Sequence, residues 1–238
     1  MSSYPWVFAL SVLLGMIWLV FQNPAPRLEQ ADIDLLPGAT WALACGLVLA
    51  RLGFAAAYPR YYLEHPLETL WIWQGGLSGS GGLIGALVGV WFYSRVSCSK
   101  FLRLFDQLAI PGLIVALGCW IGSWLDGVAY GQPVQSTLPV LSTADMFGTR
   151  IARWPAALLG LIPLLGGFMI LLRPVSRRQT DGRQGMLGFT GIALSILLAS
   201  LVRADPMPLL LAVRVDTLTG LMLSIAGVLA LLISFRKR

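Results

Sequence analysis

Charged side chains are scarce in this 238-residue chain. They make up 12% of the residues, whereas hydrophobic residues make up 57%. Because a soluble globular domain carries roughly a quarter charged residues, this composition excludes that class and predicts a polytopic α-helical membrane protein. The net charge of +6 does not indicate a nucleic-acid partner. The basic residues lie in short segments between apolar runs, where they orient helices and meet anionic headgroups.

Residues suited to metal binding or nucleophilic catalysis are also few. His65 is the single histidine, and Cys45, Cys98 and Cys119 are scattered without paired spacing. This pattern excludes a histidine metal site and a cysteine framework, and it predicts that the cysteines behave as small buried hydrophobic residues. No hydrolytic triad or nucleotide-binding loop can be assembled. We therefore expect no metal and no cofactor.

A cleavable signal peptide is not evident either. The first apolar run lacks a basic leading region and a clear small-residue cleavage site, so we expect it to be retained as a membrane span. We expect one polytopic domain over 1–238, with an interfacial elbow after the second span and a long polar loop at 126–153. Each apolar run is long enough to cross a bilayer, which takes roughly 20 residues. The seven predicted spans are about 4–21, 35–58, 77–93, 107–125, 154–172, 186–202 and 218–235.

The distribution of Lys and Arg predicts the orientation of these spans. With the N-terminus outside, most of the 17 basic residues fall in the inner segments. Cytoplasmic segments carry such an excess, so we expect the N-terminus outside, the C-terminus inside and the 126–153 loop on the outer side.

A glycine-rich segment, WIWQGGLSGSGGLIG at 71–85, opens the third span. Bare backbone there can present N–H groups to an anion at a helix N-terminus, or it can let another helix approach closely. Spacings of four residues favour close packing, and we expect the third and fourth spans to contact each other. The glycines in these spacings are Gly81, Gly85, Gly89, Gly118 and Gly122.

A few polar residues lie in or beside apolar runs, where they are costly and usually functional. Arg51, near the end of the second span, can reach the headgroups or bind a phosphate; both readings stay open. Asp106 follows Arg103 by three residues and can pair with it at the surface. The other candidates are Gln74, Asp126 and Arg203.

Two stretches carry a more specific pattern. Residues 50–85 combine ARLG at a helix end, an aromatic elbow and GGLSGSGGLIG, and residues 118–131 read GCWIGSWLDGVAYG. Together they resemble the bacterial prolipoprotein diacylglyceryl transferase family. The family's segments read Gly-Gly-(Leu/Met)-Ser-x-His-Gly-Gly-Leu-Ile-Gly and Gly-x-Arg-hydrophobic-Gly-Asn-Phe-hydrophobic-Asn-Gly-Glu-x-x-Gly. The resemblance covers 40–131 and is weaker near the C-terminus, where the segment 203–206 is similar to an Arg-x-Pro-Asp element.

The resemblance implies seven spans, an inner-membrane location and transfer of a diacylglyceryl group from phosphatidylglycerol to a lipoprotein cysteine. Several polar residues of the family are replaced in this chain. The family's His is Ser80, its Arg is Trp120, its two Asn are Ser123 and Asp126, and its Glu is Val128. Two more family positions, an Arg and a Glu, correspond approximately to Leu197 and Ser200, whereas Arg51, Asp106 and Arg203 match.

Loss of one preorganised contact to a developing anion costs about 3–4 kcal/mol. We therefore expect a catalytically degenerate member that binds phosphatidylglycerol or serves as a structural subunit beside other membrane proteins. The alternative is an active transferase that uses other cations, for which Arg150 and Arg153 are the candidates. A transporter or channel is disfavoured because the spans are mostly Leu, Ala and Gly. The residues expected to contact lipid or its phosphate are Arg51, Gly75, Gly76, Ser78, Gly81, Gly82 and Arg203.

Overall fold

The computed structural model describes residues 2–22, 35–72, 75–135, 142–144, 148–173 and 182–236. Gln74, a candidate polar residue, lies outside these ranges. Nine α-helices are found within them: α1 Tyr4–Gln22, α2 Leu35–Ala57, α3 Pro59–Glu64, α4 Gly79–Val96, α5 Phe101–Gln107, α6 Ala109–Leu125, α7 Ala156–Leu172, α8 Arg183–Ser200 and α9 Val215–Arg236. A 3₁₀ helix, Pro66–Leu70, follows α3. Two antiparallel hairpins pair β1 (Ser142–Ala144) with β2 (Arg150–Ala152), and β3 (Leu209–Leu210) with β4 (Val213–Arg214).

The helices are those of a membrane protein. By length and hydropathy α1, α2 and α9 can each cross a bilayer, and α5 and α6 can do so together as one bent span. The apolar α7, of 17 residues, is slightly shorter. Three or four candidate spans therefore stand out among the described helices, and the number seven and the orientation stay predictions.

A 46° bend at Leu108 separates α5 from α6. The predicted span 107–125 corresponds to α6, whereas the short helix α5 before it was not predicted from the sequence. Pro111 has no N–H to donate to the carbonyl of Gln107, so the helical ladder is interrupted at this point. Asp106, at the end of α5, is buried rather than at the surface, and it accepts hydrogen bonds from the backbone N–H groups of Gly182 and Gly185, both at 2.8 Å. This carboxylate thereby caps the N-terminus of α8.

Glycines bring α4 against α2. A Cβ at Gly85 would overlap the carbonyl oxygen of Cys45, and one at Gly89 would overlap that of Trp41. Such close approach suits helices in lipid, where packing rather than hydrophobicity drives association. On α6, a Cβ at Gly118 would overlap the side chain of Ser11 on α1.

The partners of these glycine faces differ from those expected. The third span (α4) packs against the second (α2), and the fourth (α6) packs against the first (α1). The expectation that the third and fourth spans pack on each other is therefore wrong. The backbone of α2 occupies the glycine face of α4, and α1 occupies that of α6, so neither face is left for the other helix. Helices α7, α8 and α9 pack in sequence on the other side of α6.

One end of the bundle collects the segments that follow α2, α6 and α8. The backbone N–H of Gln132, after α6, donates to the carbonyl of Val202, after α8 (2.8 Å). The Tyr58 hydroxyl, after α2, donates to the carbonyl of Pro206 (2.8 Å). Arg51, Ser80, Trp120, Asp126 and Arg203 lie at or near this end, whereas Asp106 lies at the opposite end, against the start of α8.

Candidate functional site

Arg51 organises the elbow between α2 and α4. Its side chain is 4% exposed, and its Nε donates to the Thr69 carbonyl at 3.0 Å. One terminal nitrogen donates to the carbonyls of Gly75 (2.6 Å) and Gly76 (3.2 Å), and the other donates to that of Glu68. Gly75 and Gly76 have φ values of 84° and 72°, a conformation that glycine adopts without strain and that turns both carbonyls toward the guanidinium.

This arrangement bears on how Arg51 can meet a phosphate. All three guanidinium nitrogens are engaged with backbone carbonyls, so the side chain chiefly shapes the elbow. A cation that neutralises four carbonyl dipoles also makes the elbow less repulsive to an anion held nearby. Arg51 therefore has a structural role in holding the elbow, and its contact with a phosphate stays a proposal.

Hydroxyl groups line the start of α4. Ser78 is its N-cap, and its Oγ accepts from the backbone N–H of Gly81 at 3.2 Å. The Oγ atoms of Ser78 and Ser80 lie 3.0 Å apart, and the Thr219 hydroxyl on α9 donates to Ser80 at 3.1 Å. Ser80, which the resemblance matches to the family's His, is thus buried in a chain of three hydroxyls that joins α4 to α9. A Cβ at Gly82 would lie 3.6 Å from that of Ala50, an ordinary contact.

Trp120 is the residue that the resemblance matches to the family's Arg. Its indole Nε1 donates to the Ser195 hydroxyl on α8 at 3.2 Å, and its ring packs over Gly160 on α7, where a Cβ would lie 2.6 Å from the ring. The indole thereby connects α6 with α7 and α8, and it brings no positive charge to this position. Nearby, the Ser123 hydroxyl donates to the carbonyl of Cys119 (2.8 Å), and Val128 is exposed.

Asp126 caps the first helix. Its carboxylate accepts from the backbone N–H groups of Ser3 (2.7 Å) and Tyr4 (2.9 Å) and from the Ser2 hydroxyl. Partial burial raises the pKa of this carboxyl, but the hydrogen bonds from Ser2, Tyr4 and Ser3 outweigh it and lower the pKa to about 2. An anion at a helix N-terminus is also stabilised by the helix dipole.

Four charged side chains form a network between the end of α8 and the start of α9, and only some of them were identified from the sequence. Arg203 pairs with Asp205 (2.6 Å) and Asp216 (3.6 Å), and Arg214 pairs with the same two carboxylates (3.4 and 3.1 Å). Arg203 was identified from the sequence, whereas Arg214 and Asp216 were not. The repeated Arg-x-Asp spacing, at 203–205 and at 214–216, is the signal that could have found them.

The four charges balance, and they hold Arg214 firmly in its charged form. Burial lowers the pKa of Arg214, but hydrogen bonds and charge interactions with Asp216, and then Asp205, outweigh it and raise that pKa. Arg203 is therefore set in a neutral cluster rather than standing as an isolated cation.

Arg153 lies beside the 126–135 segment. It is buried, its guanidinium carbon lies 4.7 Å from the centre of the Tyr130 ring, and it donates to the carbonyl of Gly131 (3.4 Å). A cleft next to it, bordered by Ser123, Tyr130 and Trp154, has a volume of about 20 Å³, which is room for one water molecule. Arg150, the other candidate cation, is exposed on β2.

The candidate residues thus form two groups. One joins the elbow, the start of α4 and the start of α9, and includes Arg51, Ser78, Ser80 and Arg203. The other lies around the end of α6, and includes Trp120, Ser123, Asp126 and Arg153. Among the residues that the structure describes, no group of three or more His, Cys, Asp or Glu side chains could hold a metal ion.

Known proteins agree with the resemblance in the sequence. The family model for prolipoprotein diacylglyceryl transferase matches residues 1–233. The chain is 37% identical over 144 residues to a phosphatidylglycerol–prolipoprotein diacylglyceryl transferase of Tolumonas auensis, covering 58% of this chain and 54% of that protein. It is 32% identical over 187 residues to the transferase of Chromobacterium violaceum, covering 76% and 63%.

A more distant relative aligns over almost the whole chain. The transferase of Streptococcus uberis is 25% identical over 239 residues, covering 97% of this chain and 91% of that protein. In the matches to the proteins of Tolumonas auensis and Chromobacterium violaceum, by contrast, the chain spans less than two thirds of the relative's length. Since the family model matches nearly every residue, the chain belongs to the prolipoprotein diacylglyceryl transferase family.

Proposed function

We propose that this family member binds an anionic phospholipid in the bacterial inner membrane without transferring its diacylglyceryl group. The observation that carries the proposal is the environment of Trp120. Where the family has a cation, an uncharged indole bonds to Ser195 and packs over Gly160. No positive charge from this position can stabilise the glycerol phosphate that would leave during transfer.

The neighbouring family positions support the same function. Transfer requires a group that takes the proton from the lipoprotein cysteine, because the thiolate is the nucleophile. Ser80 is a hydroxyl bonded to Ser78 and Thr219, and a hydroxyl is a poor base at neutral pH. The carboxylate of Asp126 is hydrogen-bonded to backbone N–H groups at the start of α1. The remaining elbow and glycine geometry suits a lipid headgroup at the boundary of the bilayer.

A transfer assay tests the proposal directly. The full chain is reconstituted in vesicles that contain phosphatidylglycerol and is given a peptide with a lipobox cysteine. We expect no increase in peptide mass and no release of glycerol phosphate above vesicles without protein, while an active relative gives both. Product formation at a rate comparable to that relative would overturn the proposal.

Two further measurements make the test sharper. Ser80→His alone should not restore transfer, because Trp120 and Val128 still stand where the family has Arg and Glu. Native mass spectrometry after gentle extraction should show phosphatidylglycerol retained by the protein, in preference to an uncharged lipid of equal chain length. Equal retention of both lipids would contradict specific binding of an anionic phospholipid.

An active transferase is the second candidate, and the position of Arg153 favours it. This buried cation stacks on Tyr130 beside the cleft that Ser123 borders. If the assay detects transfer, Arg153→Gln should abolish it, whereas Arg150→Gln, at an exposed position, should leave it unchanged. Transfer that survives Arg153→Gln would exclude this route.

A further inference from the structure

The hairpin between α8 and α9 exposes three consecutive leucines. The side chains of Leu209, Leu210 and Leu211 are 67%, 58% and 86% exposed. The whole segment 206–213, PMPLLLAV, is without charge. Isolated apolar residues at a surface need no explanation, but three adjacent leucines at the tip of a hairpin form a patch of the kind that marks an interaction surface.

The turn of this hairpin retains a leucine where the backbone favours glycine. Leu211 and Ala212 have φ values of 53° and 63°. Two-residue hairpin turns with positive φ at both positions are dominated by Asn, Asp and Gly, and a bulky residue in this conformation is strained. Strain of this kind occurs where function needs the side chain, so the turn indicates that an apolar tip is required.

The base of the hairpin is held firmly. Arg214 donates to the carbonyls of Asp205 (2.8 Å) and Arg203 (3.3 Å), in addition to its ion pairs. The backbone N–H of Val215 donates to the carbonyl of Pro208 at 3.1 Å, and Tyr58 ties Pro206 to the elbow. The leucines are therefore presented by a fixed support.

The position of α9 places this support at the water–lipid boundary. A helix of 22 residues is about 33 Å long, close to the thickness of the hydrocarbon core. Val215, its first residue, therefore lies at one face of the core, directly after the hairpin. The elbow at the same end also exposes leucines, namely Leu63, Leu67 and Leu70.

We propose that the hairpin 206–213 inserts Leu209, Leu210 and Leu211 into the boundary between headgroups and acyl chains, as a membrane anchor beside the elbow. Lipid is the occupant that these observations favour. The tip offers no charged side chain with which to recognise a particular protein, and it continues the apolar surface of α9, where Met222 is 70% exposed. A pair of residues on each strand reaches less than about 10 Å, which matches the depth of interfacial insertion.

Depth-dependent fluorescence quenching tests the anchor. Cys45, Cys98 and Cys119 are replaced by Ala in the full chain, and Leu211→Cys is labelled with an environment-sensitive dye after reconstitution into phosphatidylglycerol–phosphatidylcholine vesicles. Gln132→Cys, in an exposed polar segment at the same end, is the matched control. Met222→Cys on α9 is the lipid-facing reference. Lipids with bromine at shallow or deep acyl positions quench the dye.

We expect the dye at position 211 to be quenched about twofold or more by shallow bromine and less by deep bromine, with little quenching at position 132. Leu210→Cys, outside the strained turn, repeats the measurement if the first variant does not fold to a monodisperse protein. A dye at 211 or 210 that reports water, as at 132, would overturn the proposal, as would burial that appears only when another protein is added. None of these outcomes depends on transfer activity, so this proposal and the proposed function can fail separately.

Discussion

Arg51 is buried near the end of α2, and its hydrogen-bond partners could not be predicted from the sequence. An Arg next to an apolar run is visible at once because its burial is costly. Its partners are four backbone carbonyls of the elbow. Because every residue has a backbone carbonyl, the sequence does not show which residues these partners belong to. The sequence could thus identify the cation but not its work in shaping the elbow.

Replacement of Arg51 should loosen the elbow. Arg51→Ala leaves four carbonyls without their donor. Each unsatisfied buried group costs roughly 1–3 kcal/mol, and water that enters the space left by the side chain satisfies some of them, so we expect a loss of about 3 kcal/mol or more in the free energy of unfolding. Thermal unfolding in detergent, followed by tryptophan fluorescence, measures this loss. Arg51→Lys should recover only part of it, because an ammonium lacks the planar fork. Arg60→Ala, at an exposed position, is the control, and equal melting of the Arg51→Ala and Arg60→Ala proteins would refute the role.

Asp126 should make the first helix sensitive to acid. Its pKa of about 2 in the folded protein lies below the ordinary 3.8, so its contribution to stability is complete above pH 4 and is lost as the pH falls toward 2. Asp126→Ala should cost about 1 kcal/mol near pH 7, and the cost should shrink in acid. Asp126→Asn, which still accepts hydrogen bonds, should cost less. Melting curves between pH 7 and pH 2 provide the measurement; a cost that does not change with pH would contradict the assignment.

At the scale of elements, the helices were predictable and their partners were not. Long apolar runs located the long helices within a few residues, because lipid requires every backbone group to be satisfied inside a helix. Gly81, Gly85 and Gly89 indicated a packing face, but a small-residue face fits any backbone equally well. The choice of α2 as partner of α4 depends on the short elbow between them, which makes them neighbours in the bundle.

The packing of α4 on α2 predicts a contrast between two glycines of the same helix. Gly85→Ala should push the helices apart, because its Cβ would overlap the carbonyl of Cys45, and we expect a cost of about 1–3 kcal/mol. Gly82→Ala, whose Cβ would sit 3.6 Å from that of Ala50, should be tolerated and is the matched control. The thermal midpoints of the two variants decide the matter, and a Gly85→Ala protein as stable as the Gly82→Ala protein would exclude this interface.

At the scale of the whole molecule, the predicted orientation follows from the excess of Lys and Arg on one side. With seven spans and the N-terminus outside, green fluorescent protein fused to the C-terminus should fluoresce, and alkaline phosphatase fused there should be inactive. Alkaline phosphatase inserted after Gln132, in the predicted outer loop, should be active. An active phosphatase at the C-terminus would contradict an odd number of spans with this orientation.

The site could be predicted in part. Glycine spacings and short motifs in the sequence predicted candidate family positions, and these assignments stay predictions. The consequences of the replacements were not visible: Trp120 bonds to Ser195 and Ser80 to Thr219, and both partners lie on helices far along the chain. Such pairings depend on tertiary packing, which local pattern does not contain.

Two carboxylates flank α6, and they bond to different helices. Asp106 holds the first turn of α8 at one end of the bundle, and Asp126 holds the first turn of α1 at the other. If α1 or α8 moved along its axis, the backbone N–H groups of its first turn would lose the carboxylate that accepts their hydrogen bonds. These helices therefore form a brace whose length is set by the span between the two aspartates.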